Sequence, residues 1–475
     1  MARIVFPVSS APGTTPQEGN GRLLNAYAVK QEQGSRAPLK WLRSAGLRQL
    51  FVVSPHVHFR GGIEVASTFI MVMNDRVHTA TKAGDIYTTV NRGSLSGEDA
   101  VTIARNNAAT PNIVCVSQSG TFNLFSGAAP TSFADADLPA VNSVCPANGY
   151  LVFSTAAGQL WASELNSVDV HTNSFEDAQM ELRRVVFFRG QVFAMGETGI
   201  KVYDETGESP FPFRYNKSVG IIPAGICGTH AVAGFEDGWV GQLLWVAEDN
   251  TVRQLDGYAP KVVSNDAVTR LISSASDRTK IEASVYMNGQ HAFFVITSPG
   301  EWTWELNVTT GSWNERESYL TNDWRGRRCI RVFDQWVAGD YTTGRFANID
   351  NTFKYEYGDA LTFHLESGDN AVFPNPVQIP SAHFDFSMGM GLVSGEVPIE
   401  TNPVAMISWS MNAGDTWGNE LTRSLGTYGQ GNRSLYVHRI GTTKSKGIRF
   451  KIRVSDPINL AFLGGEMPDV KPMVA

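Results

Sequence analysis

The sequence predicts an all-β fold: a β-propeller of about seven blades, with six as the alternative count, followed by a C-terminal β-sandwich-like domain. Three observations lead there. Glycine reaches 45 of 475 residues and aromatics 11%, a composition that favours tight turns and short strands. A turn residue followed by an aromatic or apolar strand recurs along the middle of the chain. Beyond about residue 357 the recurrence stops, but strand-like alternation continues.

In chain order, the first fifty residues carry Pro7, Pro12, Pro16 and Gly13, Gly19, Gly21, which break regular structure. They are expected to form an extended arm and a first strand (1–50). The recurring units follow at Gly84-Asp-Ile-Tyr87, Gly120 to Phe125, Gly158-Gln-Leu-Trp161, Gly199 to Tyr203, Asn250 to Leu255, Gly300-Glu-Trp-Thr-Trp304 and Gly344 to Ile349, spaced 36 to 51 residues apart. Units of this length, each too small to bury its own faces, stack around an axis as propeller blades, here over 51–357. Helical patterning is sparse; residues 175–184 (FEDAQMELRR) are expected to form a short surface helix between blades. The remainder, 358–475, reads as a sandwich. In Gly447 to Val454, Ile448, Phe450, Ile452 and Val454 share one face and Arg449, Lys451 and Arg453 the other. Ala405 to Met411 is a second apolar strand.

Composition narrows the function classes. The net charge is −7, so a general phosphate-binding footprint is not expected; an acidic wall along which DNA slides is compatible with it. Cys115, Cys145, Cys227 and Cys329 are scattered without metal spacing and read as reduced, buried side chains. No apolar run follows the first seven residues, so no signal peptide is expected, and the most apolar stretch, Val65 to Met73, is far too short to span a bilayer.

No residue earns a catalytic, cofactor-binding or metal-binding role. Ser410-Met-Asn-Ala-Gly-Asp-Thr-Trp417 resembles an Asp-box hairpin with Asn412 in the Asp place. It reads as a turn in which Asn412 accepts from turn amides and Gly414 takes a left-handed conformation. Since such hairpins are familiar from sialidases, a propeller glycosidase or glycan-binding module is the alternative function. Against it, the paired carboxylates or Arg cluster such chemistry needs are not evident. His56-Val-His58 places two imidazoles on one strand face with no third ligand suggested by spacing. Arg325-Gly-Arg-Arg328 and the Arg449/Lys451/Arg453 face are the main basic clusters, read as solvated strand faces or subunit contacts. Gly389, Gly391 and Gly395 lack the following helix of a dinucleotide loop.

Several segments, taken in order, resemble the packaged-DNA stabilisation proteins of podovirus-type phages, the tail accessory or tail nozzle family. They are Arg22-Leu-Leu-Asn-Ala-Tyr27, Arg43-Ser-Ala-Gly-Leu47, Phe211-Pro-Phe213, Gly289 to Val295, Thr303 to Arg316 and Val337 to Arg345. The C-terminal portion adds Ser408-Trp-Ser410, Trp417-Gly-Asn-Glu420, Ser424 to Tyr428, Phe450 to Pro457 and Ala461-Phe-Leu-Gly464. Ala26 and Ala45 depart from the family pattern. The resemblance implies a non-enzymatic virion tail subunit, made and assembled in the host cytoplasm and forming a ring, expected to be a hexamer, with no cofactor. Its expected partners are a portal–adaptor complex above and tail fibres, tailspikes or a tail needle around it, with double-stranded DNA passing through without sequence readout.

Overall fold

The computed structural model describes residues 2–239, 241–370, 375–443 and 446–472. Its seven propeller sheets follow one another around an axis. Their innermost strands are Phe59–Val65, Thr102–Arg105, Ser143–Ala147, Leu182–Phe188, Val232–Ala233, Glu282–Asn288 and Gly326–Val332. Neighbouring inner strands touch around the ring, the last against the first, except at blades 4 and 5, which meet through the Ile226 amide and the Gly196 carbonyl at 2.8 Å. The apolar cores lie between the blades. Phe59, Phe69 and Phe346 interlock blades 7 and 1, and Leu182, Val192, Cys145 and Val152 fill the wedge between blades 3 and 4. All four cysteines are free and buried, and burial pushes each thiol up to about 12.

The ring closes non-locally. Blade 7 contains Gly326–Val332, Gln335–Asp340 and Arg345–Asp350, and its outer strand is Gly46–Val52 from the N-terminal region, antiparallel to Arg345–Asp350. One blade thus joins chain segments some three hundred residues apart. At Gly46 an added Cβ would lie 2.3 Å from the Phe353 carbonyl oxygen, so only glycine fits that crossing.

The sandwich is fused to the propeller by a shared sheet. The outer strand of blade 6, Ser312–Arg316, pairs in parallel with Arg22–Leu24, and that sheet continues through Phe363–Glu366, Arg449–Val454, Val404–Ser410 and Leu421–Ser424. The opposing sheet runs Ala26–Lys30, Leu39–Arg43, Ala461–Met467, Val377–Phe386 and Leu435–Thr442, with Ala2–Ile4 against Ala461–Met467. Ile448, Phe450, Ile452 and Val454 are fully buried between the sheets, as their alternation requires. The segment expected to be an extended arm therefore supplies strands to both bodies. Asn25, at φ +50°, makes the corner between the two sheets. Its side chain donates to the Glu317 and Thr362 carbonyls at 2.8 and 3.1 Å.

Two local readings are corrected. Residues 175–184 are not helical; they end one strand, Val170–Asp177, and begin another, Leu182–Phe188. Phe175 stacks on Trp161 at 4.6 Å, so pairing and stacking override the charged helical pattern. Among the described residues the α-helix is Asp266–Ser273, capped by Asn265, whose side chain accepts from the Val268 amide at 2.9 Å. Finally, six of the seven recurrent turns join the second and third strands of a blade, but Gly84 joins the third and fourth of blade 1; the equivalent turn there is Asn74-Asp75. Leu47 is fully buried on the closing strand while its neighbour Arg48 is exposed. Leu47→Ala is expected to lower unfolding free energy by about 2–5 kcal/mol and Arg48→Ala by less than about 1 kcal/mol, as measured by denaturant unfolding.

Candidate functional site

The axial end of the propeller, where the inner strands begin, opens into a cavity of about 840 Å³. Its walls come from the segments entering the inner strands and from turns between second and third strands, among them His58, Asp99, His230, Glu282, Arg327 and Arg328.

Backbone irregularity positions its charges. Register shifts interrupt the inner strands at Phe59/Gly61, Leu182/Arg184 and Arg327/Ile330, and each bulge displaces an arginine. The Arg60 guanidinium donates to the Asp99 carbonyl at 2.6 Å and the Asn74 carbonyl at 2.8 Å. Arg183 reaches the carbonyls of Ile226 and Cys227 at 2.9 and 2.7 Å and the carboxylates of Glu197 and Glu248. Arg328, at φ +46°, donates to the Phe59 carbonyl and pairs with Glu282. Each therefore clasps its blade to a neighbour. Arg327 pairs with Asp323 at 2.6 Å and lies over the Tyr341 ring. Burial, with Arg184 and Arg328 nearby, holds His230 well below the usual histidine range, and burial and Arg328 lower His58. Both are neutral near pH 7. The acids Asp99 and Glu282 are engaged by Arg60 and Arg328.

The sequence-selected residues disperse over the molecule. His56 and His58 do not share a strand face: residues 54–58 lie outside the strands. His56 Nδ1 sits 3.1 Å from Nε2 of His78, which burial pushes down to about 4, whereas His58 lines the cavity. Among the described residues no group of three or more His, Cys, Asp or Glu side chains could hold a metal. The Asp-box-like hairpin belongs to the sandwich. The Ser410 hydroxyl accepts from the Gly414 amide at 2.8 Å, Asn412 Oδ1 accepts from the Thr416 amide at 3.0 Å, and Gly414 has φ +97°. Trp417 packs under the Lys451 ammonium at 4.0 Å.

The basic clusters are ion-paired, and Lys451 and Arg453 stay partly exposed. Arg325 pairs with Asp340 at 2.5 Å and Asp359 at 2.7 Å. Arg449 is buried against Asp369 at 2.6 Å, Lys451 faces Glu366 at 3.5 Å, and Arg453 meets Glu420 at 2.9 Å. Apart from Asp323, which is local to Arg327, the acidic partners of both clusters are distant in sequence, which local charge counting could not reveal. Sequence reasoning also missed the arginine bulges, because a bulge depends on the partner strand.

Two family models match in chain order. One, described as bacteriophage P22 Gp10, beta-propeller, covers residues 23–354. The other, described as bacteriophage P22 Gp10, beta-sandwich, covers residues 377–468. The chain belongs to this family. It is a podovirus structural protein of the tail and head–tail junction, and its place is the virion. A comparison with curated proteins finds no match. Similar solved structures include the RRP9 WD40 repeats, at 10% identity and TM-score 0.41, covering 65% of this chain and 99% of that one. The WD40 propeller domain of Doa1 aligns at 10% identity and TM-score 0.40, covering 64% and 97%. YCF48 bound to a D1 peptide aligns at 9% identity and TM-score 0.40, covering 63% and 94%. No helix among the described residues is long and apolar enough to cross a membrane.

The Arg328–Glu282 clasp gives a direct test. Replacing one member of a partly buried pair leaves the other charge undercompensated, so Glu282→Gln is expected to destabilise the protein by about 1–3 kcal/mol, read as a lower denaturant midpoint with secondary structure unchanged by circular dichroism.

Proposed function

We propose that this subunit forms a closed ring, with six copies as the working number, below the portal and its adaptor, where it extends or closes the DNA channel and retains the packaged genome. The single observation behind this reading is that family models for both domains match in order along the chain. Physical features support it. A cyclic ring uses head-to-tail contacts, so each subunit must present two unlike faces, and a propeller fused to a sandwich through one sheet offers unlike faces on a stiff frame. A net charge of −7 suits a channel wall past which duplex DNA moves, because clustered Lys and Arg would hold phosphates. Opposite the channel, surface loops would seat fibres, tailspikes or a tail needle. The subunit works as a scaffold and gasket rather than as an enzyme.

Purified protein is expected to stay inert toward host polysaccharide and to assemble on isolated portal–adaptor complexes as a ring visible by electron microscopy. Phage assembled without it should package DNA and then lose it. Particles that lack the protein yet keep their DNA and infect normally would overturn the proposal.

A further inference from the structure

A second cavity, of about 450 Å³, lies at the seam between the bodies. Its walls combine the sandwich residues Arg43 and Ser387 with Asn351, Thr352 and Lys354 from the loop after blade 7. No acidic side chain is among its lining residues. Arg43 is 4% exposed; it donates to the carbonyls of Asp456 at 2.8 Å and Val454 at 2.9 Å, while its Nε is buried without a hydrogen-bond partner. Among the described residues the Lys354 ammonium donates only to the Asn351 carbonyl of its own loop.

The surrounding carboxylates are already engaged. Asp350 pairs with Arg48 at 3.0 Å and accepts from the Thr352 amide at 2.7 Å. Asp456 accepts from the Val404 amide at 2.7 Å. Two cations therefore line one pocket with no carboxylate among its described lining residues, and the Asp456 carboxylate acts on Arg43 from outside it. Their repulsion leaves a trace: burial, and then Arg43, push Lys354 down to about 8 despite Asp350. Like charges held together in a partly dry site cost free energy unless a counter-charge joins them.

We propose that this seam pocket binds a small inorganic oxyanion, phosphate or sulfate, between the Arg43 guanidinium and the Lys354 ammonium. The side-chain amides of Asn351 and Asn459 on its walls supply neutral donors. The pocket is built from both bodies, so the bound anion cross-links propeller and sandwich and stabilises the native state by mass action. A guanidinium suits oxyanion geometry and an ammonium adds a point charge.

The test is calorimetric titration of the full chain with sodium sulfate in a buffer free of other oxyanions, at physiological chloride, followed by inorganic phosphate. One saturable site per chain is expected. Lys354→Met should weaken it roughly tenfold or more, the loss of one charge-assisted contact. Lys261→Met, an exposed lysine on a distant blade, should leave it unchanged. Lys354 is partly exposed and holds only its own loop, so its variant should melt as the parent does without anion. Sulfate does not titrate near neutrality, so its affinity should fall as pH rises through about 8, where Lys354 loses its proton, and that fall should vanish in Lys354→Met. The absence of saturable binding, or binding that Lys354→Met leaves untouched, would overturn the assignment.

Discussion

The architecture depends on one buried charge, the guanidinium of Arg316. It is fully buried, donates to the Ala45 carbonyl at 2.5 Å and to Glu356 at 3.2 Å, and faces Glu305 at 3.6 Å and the Trp324 ring at 4.8 Å. Those partners come from different parts of the fold: the blade 6 strand Trp302–Asn307, the segment entering the closing strand, and the short strand Tyr355–Glu356 that leaves the propeller. Glu356 is held further by the Ser318 hydroxyl at 2.5 Å and the Trp324 indole at 2.9 Å. Leaving a buried charge without such partners costs several kcal/mol, so the node admits one arrangement of blade 6, the N-terminal strand and the exit to the sandwich.

Around that node the N-terminal segment serves as a stitch. Arg22 pairs with Glu315 at 2.5 Å, and the Ser10 hydroxyl donates to the same carboxylate at 2.6 Å. Asn25 turns the chain from one sandwich sheet to the other, and Gly46 lets it cross beneath Phe353 into blade 7. A closed propeller alone would leave the sandwich on a tether. The shared sheet makes the two bodies one stiff unit, and the arginine clasps between blades serve the same stiffness inside the propeller.

The sequence carried much of this, for physical reasons that can be named. Blades repeat, so six of seven equivalent turns were visible as glycine or asparagine positions. Strict alternation in Ile448 to Val454 placed the sandwich core. The segments Arg22 to Tyr27 and Arg43 to Leu47, singled out by family resemblance, are the two corners of the stitch. Ring closure was hidden because it pairs residues about three hundred positions apart. The charge of 175–184 suggests a helix because strand pairing is invisible locally, whereas the helix that forms starts at the Asn265 cap, a legible start signal. The pairing of Arg325, Arg328 and Arg449 is also hidden, since their carboxylate partners lie 15 or more positions away in sequence.

The central claim is that the N-terminal strands are integral to both bodies. Hydrogen–deuterium exchange read peptide by peptide tests it most directly. The amides of residues 22–24 and 46–52 are expected to exchange as slowly as those of the inner strands Glu282–Asn288 and Gly326–Val332. Rapid exchange of 22–24 and 46–52 while the inner strands stay protected would contradict it.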